Sequence, residues 1–434
     1  MNPCHWDGPR IYGIDMRIYL AGHLNFFTIP TRKTGWRRNE KGSLLKMNMK
    51  ETTRTMTTWE KNLFGVPAND IPKLFPGILA VSILTWISIW VSDFIGTQWM
   101  GFEKSPISPV MLAIIIGLLV GVVIKMPKIL TPGLSFAVKK ILRLGIILLG
   151  IRLTVFDVFK LGVFGVPIVA VCIIGALMIT TWINHKLNLP ERLGTLIAVG
   201  TSICGVTAIV AAGPAIDADE EESAYAVTVI TIFGLFATLV YPYLAHAIFA
   251  GQAVQAGMFL GTAVHETAQV VGAGQIYADI FSQPIALDVA TITKLVRNVF
   301  MAAVIPFMAF YYARKAQSGN FEGEKTGFTK LFPVFIFGFL AMAVFRSIGD
   351  AGINAGGQAF GILSSSSWSE TISFIKNFAE ICLVAALAGV GLNTNFKSFK
   401  ALGIKPFIVG LSAATVVGGI SLVAIKLLGS FVVL

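Results

Sequence analysis

Gly261-Thr-Ala-Val-His-Glu-Thr-Ala-Gln-Val-Val-Gly-Ala-Gly274 sits inside a hydrophobic segment yet carries His265, Glu266 and Gln269 together. On a helix, His265 and Gln269 are an i,i+4 pair and Glu266 and Gln269 an i,i+3 pair, so polar groups converge on one region. Ionisable groups at membrane depth are costly and face a cavity or a partner. A second stretch, Gly200-Thr-Ser-Ile-Cys-Gly-Val-Thr-Ala-Ile-Val-Ala-Ala-Gly213, matches the first at Gly-Thr and at the final Gly. Paired Gly-interrupted hydrophobic segments point to the substrate site of a transporter. Close helix packing through small residues is the competing reading of the same glycines.

Composition sets the frame for both stretches. The 434 residues are 55% hydrophobic and only 13% charged, with a mean hydropathy of +0.75. Soluble chains carry about 25% charged residues. Continuous apolar runs recur from Lys73 onward without the alternation of a lipid-facing barrel, so the expected fold is all-α, a polytopic helical membrane protein. The net charge of +11 then reads as basic cytoplasmic loops rather than a nucleic-acid surface. Cys4, Cys172, Cys204 and Cys382 form no CxxC pair and imply neither a disulfide framework nor a zinc cluster.

Residues 1–72 are mixed and basic (Arg32, Lys33, Arg37, Arg38, Lys41) and lack a long apolar run, so they do not read as a secretory signal. They are expected to be disordered, with Met47 or Met49 as the true start, and residues 73–434 form the transmembrane domain. Eleven apolar spans are expected there: 73–95, 107–124, 134–151, 163–183, 189–216, 223–249, 253–277, 289–312, 328–348, 371–392 and 404–428. The third holds Lys139, Lys140 and Arg143, whose long side chains would snorkel.

Loop charge orients the spans. Lys125 and Lys128 precede the third, Lys186 and Arg192 separate the fourth and fifth, Arg314, Lys315, Lys325 and Lys330 the eighth and ninth, and Lys397, Lys400 and Lys405 the last two. With eleven crossings all of these fall on the side of the amino terminus. That side is cytoplasmic by the positive-inside rule, and the carboxyl terminus is outside the inner membrane. The acidic run Asp217, Asp219, Glu220, Glu221 and Glu222 then falls outside, as a solvated loop opening the next helix.

Gly150-Ile-Arg-Leu-Thr154, followed by Phe156, Phe159, Lys160 and Gly162, is echoed by Gly389-Val-Gly-Leu-Asn393, followed by Phe396, Phe399, Lys400 and Gly403. The third and tenth spans that carry them are an odd number apart and cross in opposite directions, as an inverted repeat requires. The fifth and seventh spans would instead run parallel. Either one of them is re-entrant or their likeness is local convergence on small residues.

Three groups of residues could carry chemistry. A helix broken at Gly200–Gly213 would free backbone N–H groups at a positive half-helix terminus beside Thr201, Ser202, Cys204, Gly205 and Thr207, an anion site. His265 and Glu266, with Gln269, could carry a coupling proton. Lys294, Arg297 and Asn298 share a face near the start of the eighth span, and an Arg fork suits a tetrahedral oxyanion; cationic anchoring at the membrane surface is the plainer alternative. Arg152 is a similar candidate, and Asn377 and Glu380 are polar groups that need partners.

Several enzyme patterns fail. His265-Glu266-Thr-Ala-Gln269 has Gln where HExxH needs its second His, Gly200-Thr-Ser-Ile-Cys204 lacks the last Gly of GxSxG, and no P-loop or TVGYG filter occurs. No cofactor is expected, and the chain is not expected to be an enzyme. An intramembrane hydrolase using His265 with Glu266 or Ser202, and a passive anion channel, are the alternatives.

Gly150-Ile-Arg-Leu-Thr154, Gly200-Thr-Ser-Ile-Cys-Gly205, His265-Glu-Thr-Ala-Gln-Val270, Thr293-Lys-Leu-Val-Arg297 and Ala388-Gly-Val-Gly-Leu392, in this order, resemble the bacterial sulfate exporter family of inner-membrane proteins. The resemblance covers Lys73 to the carboxyl terminus and excludes the segment before Met47. It implies an inverted-repeat fold related to sodium/proton antiporters and bile-acid symporters, and a secondary transporter exporting sulfate or an organosulfonate. The expected partners are a small anionic substrate, the lipid bilayer and a coupling proton or sodium ion, with a homo-oligomer as one form and no nucleic acid.

Overall fold

The computed structural model describes residues 36–38, 44–46, 65–99, 105, 107–124, 126–315, 334–394 and 404–429. Within residues 1–56, which form a unit of their own, β1 (Trp36–Arg38) pairs antiparallel with β2 (Leu44–Lys46). Most of the segment expected to be disordered, the two candidate starts, and the loop lysines Lys125, Lys325, Lys330, Lys397 and Lys400 lie outside the described residues.

The second unit is built of helices: α1 (Phe75–Asp93), α2 (Pro109–Val123), α3 (Thr131–Phe136) continued through a π turn into α4 (Leu142–Leu149), and α5 (Val155–Lys186). Then come α6 (Glu191–Ser202), α7 (Val206–Ala215), α8 (Glu220–Phe249), α9 (Ala253–Ala263), α10 (Thr267–Phe281), α11 (Ile285–Val299) and α12 (Met301–Lys315). The chain closes with α13 (Phe335–Gly356), a small β3 (Gln358–Ala359) and β4 (Leu363–Ser364) ribbon, α14 (Ser365–Asn393) and α15 (Ile404–Leu428). Among the described residues seven helical stretches are long and apolar enough to cross a membrane, and α2 is a shorter apolar helix. The chain is an all-α polytopic membrane protein with broken helices.

The eleven-span expectation needs a correction at two places. α6 is 12 residues and α7 is 10, each roughly 15–18 Å long, against an apolar thickness of about 30 Å. Between them Ile203 (φ −120°, ψ −98°) and Gly205 (φ +71°, ψ −126°) reverse the chain. Arg192 at the start of α6 therefore meets Asp217 just past α7, with Nη2 to Oδ2 at 3.1 Å. The fifth span is a re-entrant hairpin. Its base is fixed by Asn184 at the end of α5, whose Nδ2 donates to the carbonyls of Leu189 and Pro190 at 3.5 and 3.3 Å.

The seventh span reverses too. α9 ends at Ala263 and α10 restarts at Thr267 after extended backbone at Val264 and Glu266. Gly251 ahead of α9 lies beside Gln283 past α10; a Cβ on the glycine would sit 3.6 Å from Gln283 Nε2. α11 then runs alongside α9: a Cβ on Gly257 would meet the Ala286 carbonyl at 2.6 Å, and one on Gly261 would meet Thr293 Cβ at 2.6 Å. That Gly-xxx-Gly spacing lets two backbones touch, as small residues do between membrane helices.

α8 joins the hairpin bases. At one end Ser223 Oγ lies 2.9 Å from where a Cβ on Gly213 would stand; at the other His246 stacks on Phe281 with ring centroids 3.7 Å apart. The hairpins therefore enter from opposite ends and their tips meet midway. The acidic run after Asp217 consequently lies at the same end as Lys186 and Arg192, not at the opposite end that eleven crossings would require.

The other internal echo behaves as expected. Gly145 packs against Cys382 and Gly389 against Ala137, so α3–α4 and α14 run antiparallel in contact. The motifs at Gly150 and Gly389 accordingly sit at opposite ends, although the echo beyond Phe396 lies outside the described residues.

Candidate functional site

The hairpin tips bring together every sequence-predicted site residue except Arg152. The carboxyl ends of α6 and α9 converge on two cations from α11, both 0% exposed. Lys294 Nζ donates to the carbonyls of Ile203 at 2.8 Å, Val264 at 3.3 Å and His265. An ammonium carries three N–H groups, as many as the carbonyls that Lys294 faces. Arg297 donates through Nε to Ser202 O at 2.6 Å and through Nη1 to Thr262 O at 2.6 Å and Val264 O at 3.2 Å, while its Nη2 reaches Thr201 O. Helix carboxyl ends carry about half a negative charge each, which explains why cations settle there. The arginine fork expected to grip an oxyanion is thus spent on backbone carbonyls.

The amino ends of α7 and α10 meet on the other side of the crossing. A Cβ on Gly205 would lie 3.3 Å from Glu266 Cβ, and its φ of +71° is one that side chains avoid, so the close approach depends on glycine. The first intrahelical bond of α7 runs from Ile209 N to Gly205 O at 3.2 Å and that of α10 from Val270 N to Glu266 O at 2.9 Å. The N–H groups of the intervening residues have no intrahelical partner, the usual state of a helix start, and the Glu266 side chain accepts from the backbone N–H of Gln269. The break predicted within Gly200–Gly213 is found here; the one at Val264–Glu266 interrupts a stretch whose sequence reads as a continuous helix.

His265 and Glu266 lie in the break and not inside a helix, so the i,i+4 grouping of His265 with Gln269 does not form. Gln269 takes a different part: Oε1 accepts from Glu266 N at 3.2 Å and Nε2 donates to Thr231 O of α8 at 3.1 Å. The His265 ring is 0% exposed, and neither nitrogen has a hydrogen-bond partner among the described residues. Ser202 Oγ donates to Val199 O at 3.2 Å, so Ser202 and His265 do not form a nucleophile–base pair. Asn298 Nδ2 donates to Thr267 Oγ1 at 3.2 Å, and Cys204 Sγ lies 3.7 Å from Met301 Sδ. Accessibility is one-sided: residues 201–205 and His265 are buried, Glu266 and Thr267 are half-buried, and Thr207 is exposed.

Arg152 belongs elsewhere. Its Nε pairs with Asp288 at 2.6 Å and its Nη1 with Glu380 at 3.3 Å, at the base of the second hairpin. Asp288 and Arg297 are nine positions apart on α11, about 14 Å along the axis. Sequence reasoning passed over Thr262, Thr231 and Gly234, which contribute a carbonyl, a carbonyl and room for Gln269 respectively. An isolated Thr or Gly in an apolar span carries no signal of its own.

The family model described as Conserved hypothetical protein 698 matches residues 76–410. The chain belongs to this family. Its relatives include a UPF0324 membrane protein of Corynebacterium glutamicum, 33% identical over 359 residues that cover 81% of this chain and 92% of the relative. A UPF0324 membrane protein of Clostridium tetani is 30% identical over 370 residues, 83% and 99% of the two chains. Another from Fusobacterium nucleatum is 31% identical over 320 residues, 73% and 90%. No solved structure matches the chain. Membership of Conserved hypothetical protein 698 agrees with a polytopic membrane protein, and these names state no substrate.

Proposed function

We propose that the chain is a secondary active transporter that exports a small oxyanion, sulfate or an organosulfonate, across the cytoplasmic membrane by alternating access. The observation that carries this reading is the meeting of two re-entrant hairpin tips at mid-bundle around buried titratable side chains. Non-helical backbone at membrane depth is tolerated where it is buried in protein or lines a solute path, and paired half-helices are how transporters build such a path. The paired amino ends of α7 and α10 suit an anion. Lys294 and Arg297 hold the tips in place and supply positive charge, while His265 and Glu266 are the groups available to couple a proton or sodium ion.

Lys186 and Arg192 mark the base of the first hairpin as the cytoplasmic end. Two reversals remove two crossings, so the amino terminus stays inside and the carboxyl terminus outside. Moving one charge through 100 mV is worth about 2.3 kcal/mol, so an inside-negative potential favours anion exit. Ser202 Oγ donates to Val199 O instead of His265, which favours transport over hydrolysis, and a channel differs by its lack of saturation.

Proteoliposomes loaded with labelled sulfate or methanesulfonate test the reading. Saturable efflux that responds to a counter-gradient and falls in Gly205→Ala and His265→Ala is expected. Flux of every anion that fails to saturate, or that ignores both substitutions, would sink it.

A further inference from the structure

The charge around the tips goes beyond the sign of the solute. Lys294 and Arg297 are fully buried, and among the described residues neither forms an ion pair with a carboxylate; their partners are carbonyls. The half-charges of the two helix carboxyl ends and the two helix amino ends at the crossing cancel one another. Glu266, set against Gly205 where the two amino ends meet, is the carboxylate of the cluster. Counted formally, with Lys294 and Arg297 as cations, Glu266 as a carboxylate and His265 as a neutral imidazole, the cluster carries a charge of about +1. A buried charge without a counter-charge is unfavourable, and a single negative charge restores balance.

Resting on the transport reading, we infer that the site takes a monovalent oxyanion and that Glu266 sets this valence. Sulfate, a dianion, would bring a second negative charge beside the Glu266 carboxylate and leave the cluster negative. A sulfonate presents the same three-oxygen face with one charge. The inference therefore separates the two solutes between which the sulfate-exporter resemblance does not choose. Glu266 acts as a specificity-determining residue through its charge, and its half-buried position keeps it within reach of an arriving solute.

Competition in proteoliposomes tests this. Wild-type protein carrying labelled methanesulfonate should be inhibited by unlabelled methanesulfonate at concentrations at least about tenfold lower than by sulfate, because like charges in a low-dielectric site repel strongly. Glu266→Gln should shift that ratio toward sulfate by about tenfold or more, and Glu266→Asp should keep the wild-type preference. Wild-type preference for sulfate, or a ratio unchanged in Glu266→Gln, overturns the inference while leaving anion transport standing. If Glu266→Gln does not yield monodisperse protein, the wild-type ratio and Glu266→Asp decide. No saturable flux of either anion instead removes the transport reading, and this inference with it.

Discussion

Lys294 Nζ stands 2.8 Å from the Ile203 carbonyl and also binds the His265 carbonyl, so one side chain of α11 joins the tips of two hairpins that enter from opposite ends. The bond explains how two short half-helices can end inside an apolar bundle. Each frees carbonyls that water would satisfy elsewhere, and the ammonium satisfies them here.

Replacing Lys294 by Met should therefore act on folding before it acts on transport. The buried Ile203 and His265 carbonyls lose their donor together while Val264 keeps Arg297, and breaking a buried charged arrangement costs about 3–5 kcal/mol. Thermal unfolding in detergent should occur at clearly lower temperature than wild type, with Arg297→Lys similarly affected because a point charge cannot reproduce the fork. Unchanged thermal stability of Lys294→Met would show that the carbonyls do not depend on it.

Gly234 and Gln269 form a second dependency. A Cβ on Gly234 would lie 2.0 Å from Gln269 Oε1, in the middle of the bridge from Glu266 to Thr231. Gly234→Ala should destabilise the protein by about 1–3 kcal/mol through overpacking. Gln269→Ala in the same chain should recover part of that loss, and a double-mutant cycle reads the coupling. Strict additivity of the two substitutions would argue that the residues do not touch.

Arg152 should separate stability from solute recognition. With Asp288 close by and Glu380 beyond it, Arg152→Met strands a buried carboxylate and should cost about 3–5 kcal/mol in stability. Any protein that remains folded should keep the wild-type KM for the transported anion. A KM raised tenfold at unchanged stability would return Arg152 to the substrate site.

The reversals predict a labelling pattern. Cysteines placed at Asp217 and Arg192 should react with a membrane-impermeant maleimide from one side, and a cysteine at Ser282 from the other. The native Cys172, Cys204 and Cys382 are buried and give little background, and Cys4, outside the described residues, is replaced by Ser for the experiment. Labelling of Asp217 and Arg192 from opposite sides would restore eleven crossings.

These hairpins also mark how far the sequence could be read. The Gly200 stretch located the first break, because glycine interrupts an otherwise apolar helix; the Gly261 stretch read as a continuous helix, and the break at Val264–Glu266 was missed. Whether the chain then turns back was not legible, since 25 to 28 apolar residues fit either one crossing or two half-crossings. Reversal is decided by distant partners: Asn184 at one base, and Lys294 and Arg297 at the tip. The same distance hid the roles of the cations. Lys294, Arg297 and Arg152 all looked like anion ligands in a linear chain, and only the fold shows that two face carbonyls and the third faces carboxylates. The likeness between the third and tenth spans was readable because orientation follows from counting.

Since α8 runs from the base of one hairpin to the base of the other, with Gln269 pinned to it halfway, it acts as a connecting rod. Neither tip can be withdrawn alone without dragging the other. In the proposed transporter, solute release would then come from the whole hairpin assembly sliding past α14, where Gly272 rests against Leu387, and not from one hairpin flexing like a flap.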